Sequence, residues 1–286
     1  MYKINAETVI GKVVLNVENL TLMRDFYQEM IGLEIQGETE NEVHFGIHGE
    51  TKKELLTLKK VAAHPKVTAT GLYHTAFLLP KRSDLGDSLY HLLRGKYPIT
   101  GASDHGYSEA IYLDDPEGNG IEIYRDKPRE FWDINPDGTI NGITIEMDAE
   151  GVIGEASGSF TGMPVGTTVG HIHLTVANLE KTHEFYVDTL QLNLQTEFPN
   201  QAKFLAAGGY HHHIGTNVWS GRNIPAMEKG TKGLNYFTMV VPSVEALKEV
   251  EANLIEKVYS YEHDSTRQEI KLTDPNGIDL VIEVRK

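Results

Sequence analysis

The residues richest in chemistry fall in one short stretch, Ser103 to Tyr124, SDHGYSEAIYLDDPEGNGIEIY. It holds a histidine (His105), a tyrosine (Tyr112), an Asp-Pro-Glu-Gly turn (Asp115 to Gly118) and a glutamate (Glu122). Tyr112 and Glu122 stand ten residues apart with the turn between them. Two antiparallel strands joined in that way can bring both side chains to one face. A carboxylate there can hold a metal ion while the phenol touches whatever the ion holds. The turn itself is conformational chemistry, with Pro presetting φ and Gly accepting φ > 0. A second concentration of titratable groups is GGYHHHIGTN, which places His211, His212 and His213 in a row after strand-like Lys203 to Ala207. Read as a strand, alternation sends His211 and His213 to one face and His212 to the other. A histidine near its ordinary pKa can take a proton at neutral pH and return it.

These residues sit in a duplicated chain. GKVVLNVENL (Gly11 to Leu20) matches GHIHLTVANL (Gly170 to Leu179), an offset of 159 residues. At the same offset Asn19, Phe26, Tyr27 and Leu33 recur as Asn178, Phe185, Tyr186 and Leu192, and Asp115-Pro116 recurs as Asp274-Pro275. A constant offset over distant points indicates two equivalent halves. Each half divides again. Gly11 to Val17 alternates like a strand, Asn19 offers an N-cap, and Leu22, Phe26, Ile31 and Leu33 supply an apolar stripe. Strands are expected at Glu42 to Ile47, Leu55 to Lys59, Leu72 to Leu79, Glu109 to Leu113 and Gly120 to Tyr124, with a helix at Leu85 to Arg94. The second half predicts strands at 171–176, 202–207, 211–218, 234–241, 268–273 and 278–284, with helices at 178–190 and 243–256. The result is α+β, with four strand–helix–strand–strand–strand units. Residues 1–127 form one two-unit domain and 168–286 another. The connecting segment 128–167, rich in Gly, Pro, Asp and Thr, reads as a linker with one strand at Gly142 to Met147.

The tandem βαβββ pattern resembles the vicinal oxygen chelate superfamily over nearly the whole chain outside the linker. That superfamily includes extradiol dioxygenases, glyoxalase I, fosfomycin-resistance enzymes, epimerases and metal-free binding proteins. The resemblance implies units paired into two half-open barrels with a metal in the concavity. The hairpin is also similar to the extradiol signature of His, apolar-Tyr, Asp-Pro-x-Gly and Glu. The superfamily draws its ligands from the first strands of two paired units and the last strand of one. The first-strand positions here hold Lys12, His74, His171 and Tyr236, and the last-strand positions hold Glu122 and either Val281 or Asp279. The implied ligand set is His74, His171 and Glu122, which suits Fe(II) and also admits Mn(II). It requires units two and three to pair across the linker. If units one and two paired instead, Lys12 would take the third position, and an ammonium cannot ligate. By the same resemblance His212 serves as acid–base catalyst, with His213 and His173 as rivals. Tyr112 bonds a substrate oxygen, and His105 donates to bound substrate or dioxygen.

Composition narrows the function classes. The chain has 286 residues, enough for two full cores, and a formal net charge of −15. Such a surface repels nucleic acid and anionic membrane. No apolar run reaches the ~18–20 residues of a membrane span, and the opening MYKINAETVI lacks a signal pattern. The absence of cysteine excludes thiolate metal sites, iron–sulfur clusters and cysteine nucleophiles. It suits a cytoplasmic protein. The expected function is an Fe(II)-dependent extradiol, catechol-2,3-dioxygenase-like enzyme whose partners are a small aromatic diol and O2. The resemblance allows a homo-oligomer. The alternatives are a glyoxalase-like metal-dependent lyase or isomerase and a metal-free small-molecule binding protein.

Overall fold

The computed structural model describes residues 2–50, 53–63 and 67–285. The first unit runs β1 (Val9–Val17), α1 (Leu20–Asp25) continued by a π-helical turn (Phe26–Ile31), β2 (Glu34–Glu38), β3 (Glu42–Gly46) and β4 (Leu56–Lys60). The second runs β5 (Gly71–Leu79), α2 (Arg82–Arg94), β6 (Gly101–Asp104), β7 (Ser108–Asp114) and β8 (Gly120–Asp126). The connecting segment contributes β9 (Ile145–Glu146) and α3 (Ala149–Gly154). The third unit is β10 (Thr168–Thr175), α4 (Leu179–His183) with a π-helical turn (Glu184–Thr189), β11 (Asn193–Phe198), β12 (Ala202–Ala206) and β13 (Ile214–Asn217). The fourth is β14 (Gly233–Val241), α5 (Val244–Glu256), β15 (Glu262–Asp264), β16 (Glu269–Thr273) and β17 (Asp279–Val284).

The strands form two curled sheets. One has the order β15-β16-β17-β14-β1-β4-β3-β2, the other β11-β12-β13-β10-β5-β8-β7-β6-β9. The first therefore joins units one and four, and the second joins units two and three. Each sheet is shared between the sequence halves 1–127 and 168–286, because the seam strands β1 and β14, and β5 and β10, pair antiparallel.

The repeated residues do repeated work. The Asn19 side chain accepts from the Leu22 N–H at the start of α1, and Asn178 accepts from the Lys181 N–H at the start of α4. Tyr27 Oη donates to Asp115 Oδ2 at 2.9 Å, and Tyr186 Oη to Asp274 Oδ2 at 3.3 Å. Each tyrosine belongs to one unit and its aspartate to the next, so each pair ties units together through a buried hydrogen bond. Asp115 Oδ1 also accepts from the Glu117 and Asn119 backbones, which fixes the turn leading into β8.

Several elements differ from expectation. β2, β6, β11 and β15 lie outside the strands that the sequence predicts; all four are short and pair towards sheet margins. The linker strand shrinks to Ile145–Glu146, which extends the second sheet by pairing with β6. The predicted strand 211–218 begins only at Ile214, and His211 to His213 lie in the connection after β12. The alternation argued for those histidines therefore does not apply.

Candidate metal centre

Register brings the three candidate ligands together. β5 lies between β10, antiparallel to it, and β8, parallel to it. Ala76 pairs with His171 on one side and Glu122 on the other. His74 precedes Ala76 by two residues and so shares its face. The alanine is short enough for the flanking side chains to converge above it. Glu122 Oε2 lies 3.0 Å from His171 Nε2 and 3.0 Å from His74 Nε2, and the two Nε2 atoms are 3.3 Å apart. Ligand bonds of about 2.1 Å at right angles would separate neighbouring donors by about 3 Å, so the set fits one six-coordinate ion with a face left open. Among the described residues, this is the group of three whose donor atoms lie close enough together to share an ion.

Glycines make room for this convergence. A Cβ on Gly170, beside His171, would fall 1.9 Å from Tyr124 Oη. One on Gly215 would meet the His173 ring at 2.9 Å.

Tyr112, His105, His212 and His173 line a cavity of about 640 Å³ over His74 and Glu122. Tyr112 is the cross-strand partner of Glu122, as the hairpin spacing implied. Its hydroxyl lies 2.7 Å from His105 Nε2 and also bonds Glu122. His105 Nδ1 lies 3.0 Å from the Ile143 carbonyl, which can only accept, so that nitrogen carries a proton. His212 lines the same cavity, and its ring centroid is 4.1 Å from that of His171. His173 lines it too, paired across the seam with His74, and its buried Nε2 has no hydrogen-bond partner. His213 is placed elsewhere. Its Nδ1 accepts from the Ala207 backbone, and its ring borders a different cavity, beside Tyr210.

Sequence reasoning missed the walls. Tyr73, Phe198, Phe204 and Trp219 give the cavity an aromatic side, and Tyr107, Ile143 and Thr144 close another. Tyr73 carried a readable signal, since it directly precedes His74. Ile143 carried none, because nothing local shows that the connecting segment folds back over the second sheet.

A sequence profile of the Glyoxalase/Bleomycin resistance protein/Dioxygenase superfamily matches residues 9–123. Catechol-2,3-dioxygenase of Bacillus subtilis (strain 168) is 38% identical over 280 residues, covering 96% of each chain. The chain belongs to this superfamily. Among solved structures, a candidate dioxygenase from Bacillus subtilis subsp. subtilis str. 168 superposes with a TM-score of 0.67 at 16% identity, covering 99% of this chain and 86% of that one. Glyoxalase I from Zea mays gives 0.56 at 15% identity, covering 97% and 92%. Both likenesses concern the fold. The superfamily duplication leaves this chain two cups of different chemistry. The register of the first sheet puts Lys12, Tyr236 and Val281 where the second has His171, His74 and Glu122. Lys12 there pairs with Glu54 at 2.6 Å. Among the described residues, that cup brings no comparable donor group together.

Burial favours the neutral form at His171, His173 and His212. Burial pushes His171 down to about 4, against the opposing pull of Glu122. Burial also holds His173 and His212 well below the usual histidine range, and His213 at about 3. Burial alone would raise Glu122, but the attraction of His171 and the hydrogen bonds from His171 and His74 hold it well below the carboxylate range. A pH dependence follows. The unfolded chain binds protons at these histidines below about pH 6.5, while the folded chain resists until about 4 at His171. Stability of the metal-free protein is therefore full above that range and falls as pH drops towards 5, by roughly 2 kcal/mol for each histidine still neutral there. Ordinary carboxylates titrate mainly below this window. Urea unfolding at pH 7.5 and pH 5 checks it, and a flat profile would contradict the burial argument.

Proposed function

We propose that the chain is an Fe(II)-dependent extradiol ring-cleaving dioxygenase acting on catechol or a substituted catechol. The observation that carries this reading is the His74, His171 and Glu122 set, with its donor atoms about 3 Å apart at the floor of an aromatic-walled cavity. The Bacillus subtilis relative, named catechol-2,3-dioxygenase, supports it. His74, His171 and Glu122 would hold the ion, and Mn(II) suits the same donors. Bound Fe(II) would supply open coordination positions and the one-electron chemistry through which O2 reacts with a closed-shell ring.

The protein's own groups do the rest. Tyr73, Phe204 and Trp219 offer faces to a planar ring and keep water from it. Tyr112, its phenol kept protonated by burial and by the charge of Glu122, turns its hydrogen to His105 Nε2 and offers its oxygen as acceptor to a substrate hydroxyl; with both ring nitrogens engaged, His105 orients Tyr112 rather than donating to substrate itself. The unpaired Nε2 of His173 meets a second polar group of the substrate. His212, kept neutral by burial, takes a proton from a ring hydroxyl and later returns it. The ring bond beside a hydroxyl-bearing carbon breaks, and each new end gains one oxygen atom of O2. A cytoplasmic location belongs to the same reading.

A glyoxalase-like lyase or isomerase shares the fold, but such sites commonly use a second carboxylate, and the donor group here contains Glu122 alone. The test is anaerobic reconstitution with Fe(II), followed by catechol and alkyl- or halo-substituted catechols in air-saturated buffer. The expected result is O2 uptake in one-to-one ratio with a yellow ring-opened product. Turnover of a hemithioacetal without O2 consumption would overturn the proposal.

A further inference from the structure

His212 does not stand alone. Its Nδ1 lies 2.8 Å from His211 Nδ1, and His211 Nε2 lies 2.9 Å from Asp126 Oδ1 at the end of β8. His211 is almost fully buried, stacked on Tyr107 at 4.4 Å and packed against Tyr210 at 4.0 Å, so its ring cannot turn over freely. Asp126 is held as well. Tyr124 Oη lies 2.7 Å from Tyr210 Oη, and Tyr210 in turn bonds Asp126.

We propose that Asp126 and His211 are positioning residues that fix the tautomer of His212 and leave its Nε2 bare towards the cavity. The argument is one of donors and acceptors. A carboxylate only accepts, so His211 Nε2 carries the hydrogen. A neutral His211 then has a lone pair on Nδ1, which accepts from His212 Nδ1–H. A neutral His212 that donates from Nδ1 has its lone pair on Nε2. That nitrogen is the one polar atom of the ring left to serve the cavity. Without the aspartate either tautomer is open to the pair, and the reverse one would aim an N–H at a substrate hydroxyl that has to lose its proton. The principle is that of the buried aspartate in serine proteases, which holds the catalytic imidazole in one tautomer; here a second imidazole stands between. The inference rests on the proposed role of His212 as base, but the tautomer can be read without it.

The decisive variant is Asp126→Asn. The variant is expected to give its amide oxygen to the Tyr210 hydroxyl and to turn its amide nitrogen, a donor, towards His211, which reverses both hydrogen bonds. Two readouts are taken. Nitrogen-15 spectra of histidine-labelled, metal-free protein, assigned by single substitution, report which nitrogen of His212 carries the proton. Steady-state kinetics on Fe(II)-loaded protein report kcat and KM. The expected result is Nδ1–H at His212 in the wild type and Nε2–H in Asp126→Asn. The variant should show a fall in kcat of about 10²- to 10⁴-fold, with KM and Fe(II) stoichiometry little changed. Asp126→Glu should restore the wild-type tautomer and most of kcat.

Nε2–H at His212 in the wild type overturns the proposal, as does a tautomer that Asp126→Asn leaves unchanged. The wild-type spectrum decides alone if the variant fails to fold. A tautomer that reverses as expected in a protein inert towards every catechol supports the tautomer device and removes the dioxygenase reading.

Discussion

Glu122→Ala leaves a protein that folds but no longer holds Fe(II) in one-to-one amount after desalting, and ring cleavage falls below detection. Glu122 Oε2 is the atom both imidazoles share, at 3.0 Å from each Nε2. It is also the only anionic donor of the group. Two imidazoles 3.3 Å apart would remain in a buried site with no anion to balance a divalent charge. Outer-shell partners of metal ligands already contribute about 10- to 100-fold in affinity, so loss of a ligand carboxylate should exceed about 100-fold. Glu122→Gln separates charge from shape, because it keeps the packing against Tyr112 and removes the anion. It should bind nearly as poorly as the alanine variant. Anaerobic Fe(II) titration followed by metal analysis is the measurement. Stoichiometric iron in Glu122→Ala would mean that the ion sits elsewhere.

How much of this site was legible depended on how local its causes are. Tyr112 and Glu122 could be placed opposite each other because a hairpin fixes register within its own turn, and Asp115 anchors that turn. The 159-residue offset marked Tyr27, Asp115, Tyr186 and Asp274 before any contact was visible, and their buried pairs explain why those residue types recur. The pairing of units two and three could be framed as a choice, since Lys12 cannot ligate. It was decided by the antiparallel seam of β5 and β10, a contact between strands nearly a hundred residues apart. The histidine run departs from strand alternation for a physical reason. Its alternation was borrowed from β13, but the chain is still in the connection there, and turn geometry sends His211 towards Asp126, His212 into the cavity and His213 out of it. The connecting segment was undervalued because Gly, Pro and Asp mark turns without saying what the turns cover. Its Ile143 carbonyl orients His105.

His212→Ala should retain one Fe(II) per chain and lose about 10²- to 10⁴-fold in kcat, the range expected when a positioned acid–base group is removed. The ring borders the cavity against His171 without entering the donor group, so iron content and chemistry should separate cleanly. Two neighbours supply the contrast. His213 borders the other cavity, and His213→Ala should leave turnover nearly unchanged once folding is verified. His173 shares the cavity and has a free Nε2, yet lacks the chain to a carboxylate that His212 has through His211. His173→Phe should therefore raise KM more than it lowers kcat, as expected for a group that holds substrate. Full turnover in His212→Ala would transfer the proton-handling role to His173, whose ring centroid lies 4.9 Å from that of His74. The reverse pattern, kcat lost in His173→Phe and kept in His212→Ala, would leave the Asp126–His211 chain serving a bystander. The two variants together thus decide which imidazole handles the substrate proton, and both remain readable because neither residue belongs to the metal donor group.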